Sequence, residues 1–153
     1  MRDSAKRHEA LVPLSTEHHY GLSLCWKIRR GLENNIEFER IKKYTDWFWE
    51  NYLEPHFRIE EKYVFPVLGE RNVRVKKAMA NHRRLKRLFD ETSEIEKTLN
   101  RIEEELRRYI RYEEGILFNE IQAVADPDRL AAIERHHNGL RFSDDRWKDR
   151  FWI

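Results

Sequence analysis

Two residue types, histidine and glutamate, recur at positions that helical periodicity assigns to the interior. His56 and Glu60 stand four apart, one helical turn along a single face. Tyr109 and Glu113 repeat that spacing, His82 interrupts an apolar stripe alone, and His18 opens another. A buried glutamate is rare unless it is paired or bound to a cation, because its uncompensated charge is costly. Imidazole nitrogens suit iron, zinc or copper, and carboxylates can bridge two cations and offset their charge. A mixed nitrogen and oxygen set without cysteine favours iron or manganese over a structural zinc. Singly, each residue also fits a plain role, His82 as a hydrogen-bonded core histidine and His56/Glu60 as an exposed pair. Co-occurrence on several stripes makes a metal centre the better reading.

These residues need elements that bring their stripes together. Leu14, His18, Leu22, Cys25, Ile28 and Leu32 form one helical face, with Pro13 and Ser15 marking its start and Asn34-Asn35 its end. His18 fits this face better than His19, although a one-residue rotation selects His19. A second helical stretch over about 36–65 carries Ile41, Phe48, Tyr52, His56 and Glu60 inward, and Pro55 is expected to bend or split it. A third covers about 70–91, with Val75, Ala78, His82, Leu85 and Phe89 on one side. Thr92, Ser93 and Glu96 resemble a capping box before a fourth helix that runs to about 125. Asp126, Pro127 and Asp128 start a shorter helix ending near Gly139, and Phe142, Trp147, Phe151 and Trp152 form an aromatic tail suited to covering a groove or a second subunit. His136 and His137 are expected as surface or packing residues, and His8 as uninvolved in a polar, loosely ordered leader over 1–12.

The expected fold is therefore all-alpha: an up-down-up-down four-helix bundle with a short additional C-terminal helix, in one domain over 1–153, with residues 126–153 forming the added helix and tail. The length of 153 residues suits a single core. Hydrophobic residues make up 40% and charged residues 38%, a balance that argues against disordered and membrane classes. Formal net charge is +2 with both signs interspersed, so nucleic acid is not expected as a partner; the basic run over 71–87 reads as a solvated helix face. One cysteine excludes an internal disulfide framework, and no apolar stretch suggests an export signal or membrane span. Cytoplasmic placement is the simplest expectation, and a homodimer is compatible with the aromatic tail.

Three segments resemble the hemerythrin-like, or HHE cation-binding, family. They are Leu14-Ser15-Thr16-Glu17-His18-His19; Pro55-His56-Phe57-Arg58-Ile59-Glu60-Glu61 followed by 64–68; and Tyr109-Ile110-Arg111-Tyr112-Glu113-Glu114 followed by Ile116-Leu117-Phe118. The resemblance runs from about residue 11 to 122. It implies a non-haem centre of two irons, with nitrogens from His18, His56 and His82 and bridging carboxylates from Glu60 and Glu113. Dioxygen, peroxide or nitric oxide are the small ligands it implies. Two positions depart from the family pattern: Tyr109 and Ala78 stand where histidines are expected. These departures weigh against reversible oxygen storage and toward oxygen or peroxide redox chemistry or sensing, with an enzyme such as a peroxidase or oxidase as one form of it. They make Tyr109 the candidate catalytic residue, as a ferric ligand, a proton or hydrogen-bond donor, or a packing group. Manganese is an alternative metal. The competing reading is an iron- or oxygen-responsive signalling or assembly protein without turnover.

Overall fold

Helix α1 spans Val12–Glu33 and begins with Pro13 in its first turn, where a missing backbone donor costs nothing. The computed structural model describes residues 6–137 and 139–153. Ser15 does not cap α1, as its hydroxyl donates to Glu114 at 2.7 Å instead. Helix α2 covers 38–67 as one continuous rod of mixed pitch: α-helix at Phe38–Phe48, a π-turn at Trp49–Leu53, α-helix at Glu54–Ile59, a second π-turn at Glu60–Val64 and a 3-10 turn at Phe65–Val67. Pro55 therefore neither splits nor ends the helix. The wider turn ahead of it supplies the space and the altered hydrogen bonding that a proline ring requires.

Helix α3 spans Val73–Asp90, capped by Asn72, whose side chain accepts from the Arg74 and Val75 amides. Helix α4 covers 95–124, as α-helix at Ile95–Tyr112, a π-turn at Glu113–Leu117 and α-helix at Phe118–Val124. The expected capping box at its start does not form. Glu94 occupies the cap in a left-handed conformation, and the amides of Thr92 and Ser93 are taken by Glu91. Helix α5, Pro127–His136, is capped by Asp126.

Short connections fold α1 to α4 into a four-helix bundle, with α1 packed along α4, α3 along α4, and α5 against the second π-turn of α2. The chain is all-helical, with no strand among the described residues. The core is apolar at both ends, with Leu24, Ile28, Ile41 and Leu99 on one side and Val64, Phe65, Leu117 and Phe118 on the other. No helix among the described residues is long and apolar enough to cross a membrane. The leader's residues 1–5 lie outside the described residues. Its remainder packs onto the bundle: Ala10 and Leu11 are buried, and Arg7 donates to the Glu114 carbonyl at 2.7 Å and to Asn119 at 3.1 Å. After α5 the tail crosses back over α1 and α2, where Phe151 is buried and Phe142 and Trp147 are partly buried.

Candidate metal centre

Midway along the bundle, His18 of α1, His56 and Glu60 of α2, and Glu113 of α4 meet in a buried group whose potential ligand atoms all lie within 4.8 Å of one another. Donors around a transition-metal ion at about 2.0–2.2 Å can lie no more than about 4.4 Å apart, so slight contraction closes this set on one ion. His18 turns inward, and His19 is exposed. His82 of α3 is buried beside the group rather than within it; its Nε2 lies 3.1 Å from Glu60 Oε1 and 2.7 Å from the Tyr109 hydroxyl oxygen. Tyr109 and Ala78 are both buried.

Every inward histidine has a carboxylate behind it. The Nδ1–H groups of His18, His56 and His82 donate to Glu114, Glu17 and Glu61, each at 2.6 Å. A carboxylate at Nδ1 fixes the tautomer and ring orientation, aims Nε2 at the centre and raises its basicity, as such partners do for metal-bound histidines. None of these three glutamates follows from the apolar stripes, since each adjoins an inward residue and so points about 100° away on an ideal helix. The available signal was the doublets Glu60-Glu61 and Glu113-Glu114, together with Glu17 beside His18. His137, expected at the surface or in simple packing, is also part of this network: it is buried, and its Nε2–H donates to Glu17 at 2.6 Å. His136 is exposed and stacks on Tyr63.

Two halves of the site repeat each other. On α4, Glu113 meets His18 Nε2 at 3.0 Å, Glu114 takes its Nδ1–H, and Phe118 stacks on its ring at 5.3 Å between centroids. On α2, Glu60 meets His82 Nε2 at 3.1 Å, Glu61 takes its Nδ1–H, and Phe65 packs on its ring at 5.3 Å. A π-turn begins at the inner glutamate in both cases. Its extra residue places the aromatic five positions on, rather than four, back on the inner face. The halves differ one turn earlier, where α2 has His56 and α4 has Tyr109.

Five carboxylates (Glu17, Glu60, Glu61, Glu113 and Glu114) face four imidazoles, with Arg7 3.6 Å from Glu114 at the rim, so the cluster is rich in acidic groups. Burial, and then the neighbouring Glu113 carboxylate, raise the Glu60 pKa well above 4.5. Burial would lower the His18 pKa, but Glu113 and Glu114 outweigh it and raise it to about 9. Burial opposes ionisation of Glu17 as well, yet its bonds from His137 and His56 win and hold it at about 2. Burial, then the charges of Glu113 and Glu60, push the Tyr109 phenol well above 10, so it keeps its proton.

Three buried polar atoms at the centre, His56 Nε2, Glu60 Oε2 and Glu113 Oε2, have no hydrogen-bond partner. Orphaned buried acceptors are costly, and these three converge on one point. Lone pairs left free in a buried cluster of nitrogen and oxygen donors fit a bound divalent cation. Beside them lies a cavity of about 10 Å³, room for one water-sized molecule, bounded by Tyr20, Gly21, Phe48, Tyr52, Phe57 and Ile110.

No curated protein and no solved structure matches the chain. A family model described as "Hemerythrin HHE cation binding domain" matches residues 11–93, which include His18, His56, Glu60 and His82 and stop short of Glu113. That span is more than half of the 153 residues, and the bundle with its buried histidine and glutamate cluster agrees with it. The chain belongs to the hemerythrin HHE cation-binding domain family.

Proposed function

We propose that this chain holds a non-haem iron centre of two ions and uses it in oxygen or peroxide redox chemistry or sensing. The observation that carries the reading is the repeated half-site, in which a glutamate doublet grips a histidine from both ring nitrogens and the two inner glutamates face each other. His18, His56, Glu60 and Glu113 would hold one ion. His82, with the same two glutamates shared between the ions, would hold the second. Iron supplies reversible one-electron chemistry and an open position for dioxygen, peroxide or nitric oxide; manganese can occupy the same donor set.

The chain's own residues set the conditions. Glu17, Glu61 and Glu114 orient the histidines. Glu60 and Glu113 neutralise the added charge and fix the separation of the two positions. Phe48, Phe57 and Ile110 keep the cavity dry, which strengthens every electrostatic interaction inside it. Tyr109 lines the cavity as a neutral phenol beside His82 and can donate its O–H to a small ligand there. Because Tyr109 lies beside His82 whereas His56 lies beside His18, the position at His82 is the poorer in nitrogen and binds its ion more weakly.

Anaerobic titration of the purified chain with ferrous iron tests this reading. The expected result is two binding events, the tighter one abolished by Glu113→Ala and by Glu60→Ala. Binding weaker than about millimolar, on the order of 4 kcal/mol or less, and indifferent to both substitutions overturns it.

A further inference from the structure

The tail beyond α5 does more than cover apolar surface. Glu17 is almost fully buried and uses both carboxylate oxygens. Its Oε1 accepts from His56 Nδ1, and its Oε2 accepts from His137 Nε2 and from the Leu140 amide, all at 2.6 Å. One side chain of α1 thus joins a centre histidine on α2 to two donors at the start of the tail. Gly139 stands between them at φ +100°, a conformation that disfavours other residues, and a Cβ there would meet the Pro13 Cβ at 3.2 Å. That turn brings the Leu140 N–H onto Glu17.

The same stretch packs behind the rings that line the cavity. Phe142 packs on Tyr20, Tyr52 and Phe48, with ring centroids 5.1, 4.9 and 5.9 Å away, and all three rings line the cavity. The Tyr52 hydroxyl donates to the Ser143 carbonyl at 3.1 Å and accepts from the Ser143 amide at 3.2 Å. Next along, Asp144 accepts from Lys27 at 2.5 Å and from Tyr44 at 2.7 Å, and the Lys27 ammonium lies 4.2 Å from the Trp152 ring. The tail is therefore fastened at several points beyond its contact with Glu17.

We infer that the C-terminal tail is a working part of the metal centre: His137 and the Leu140 amide are positioning groups that hold Glu17, Glu17 holds His56, and docking of the tail and occupancy of the centre reinforce each other. The inference rests on the metal-binding reading above. It assigns a role to a segment beyond the matched family region, and it joins the centre to a surface element that a partner or a protease can reach. Coupling between two such events is reciprocal, so whatever docking contributes to metal affinity, metal returns to docking.

The test uses the full chain, ferrous iron under anaerobic conditions, and amide exchange read at Leu140. His137→Leu removes the donor while keeping an apolar side chain; His137→Gln restores an N–H at similar reach. The expected results are iron affinity lowered roughly tenfold in His137→Leu, the low end of the loss typical of outer-shell partners, and recovered at least in part in His137→Gln. In the parent chain, iron slows exchange of the Leu140 amide by a factor on the same order. If both variants bind iron as tightly as the parent, or are weakened equally, and Leu140 exchange ignores iron, the inference is overturned while the metal reading stands. A parent chain that binds no iron removes both. Should His137→Leu fail to fold, Leu140 exchange in the parent decides alone.

Discussion

Replacing Glu60 by glutamine should make the metal-free protein more stable while removing its capacity to be stabilised by metal. Glu60 has no exposed surface, and burial with Glu113 nearby raises its pKa well above 4.5. An acid whose pKa is raised in the folded state binds more protons there than in the unfolded chain. Stability therefore falls as pH rises from the unfolded value of about 4.5 toward the folded one, and the penalty is present at neutral pH. An amide in the same place carries no charge. Glu60 Oε2 lies 3.3 Å from His56 Nε2, and each atom lacks a hydrogen-bond partner. A glutamine N–H directed at that nitrogen would satisfy two orphans at once. Relieving a buried unsatisfied or unpaired group is worth about 1–3 kcal/mol. For a chain of this size that corresponds to a rise in Tm of roughly 2–12 °C.

Metal reverses the order. At a free concentration 100 times its Kd, a ligand that binds only the folded state adds about 2.7 kcal/mol to the parent, roughly 5–11 °C. The variant, having lost a ligand, gains little. Thermal unfolding by circular dichroism at pH 7, with chelator and then with anaerobic ferrous iron, reads both effects. A Glu60→Gln protein that melts below the parent in chelator and still rises with iron as the parent does would overturn this expectation.

Other substitutions separate the remaining parts. Tyr109→Phe removes the hydroxyl beside His82, costing about 0.5–1.5 kcal/mol in urea unfolding; peroxide consumption by the iron-loaded protein should drop severalfold, and unchanged turnover would take the phenol out of the chemistry. Asp144 is held below its ordinary 3.8 because Lys27 and Tyr44 outweigh the opposing effect of burial. Its contribution is therefore complete above 3.8 and fades as pH falls below it; tail tryptophan fluorescence should report undocking in that acid range, and Asp144→Asn should abolish the pH step. Gly31→Ala places a Cβ 2.7 Å from Ile41 Cδ1 and 2.9 Å from Phe151 Cε1. Overpacking of about 1–3 kcal/mol exceeds the helix-propensity gain of about 1 kcal/mol, so the variant should unfold at lower urea.

Periodicity carried much of this architecture in the sequence. The spacing of Leu14, His18, Leu22 and Cys25 favours His18 with His19 one residue of rotation away, and the structure turns His18 inward. His56, Glu60 and Glu113 interrupt stripes of the same kind, and the structure brings all three together with His18. What periodicity could not carry depends on departures from an ideal helix or on contacts distant in sequence. Three π-turns have no compositional mark, so Pro55 reads as a break when the preceding turn absorbs it. Glu17, Glu61 and Glu114 look like solvent-facing neighbours of inward residues until the partner histidine from another helix is in place. His137 reaches Glu17 across 120 residues of sequence, through a tail without helical repeat. Ser15 and Ser93 have the composition of caps, but each hydroxyl finds a glutamate first, Glu114 and Glu91 respectively.

On the proposed function, His18, His56, Glu60 and Glu113 bind a metal ion between them. Diffraction from iron-loaded crystals, recorded above and below the iron absorption edge, tests it most directly because it identifies the element and its position together. The expected result is an iron-specific peak within about 2.0–2.3 Å of His18 Nε2, His56 Nε2 and oxygens of Glu60 and Glu113, with a second, weaker peak toward His82. Iron-loaded crystals with no anomalous peak among these four side chains, or with iron only at the protein surface, would contradict it.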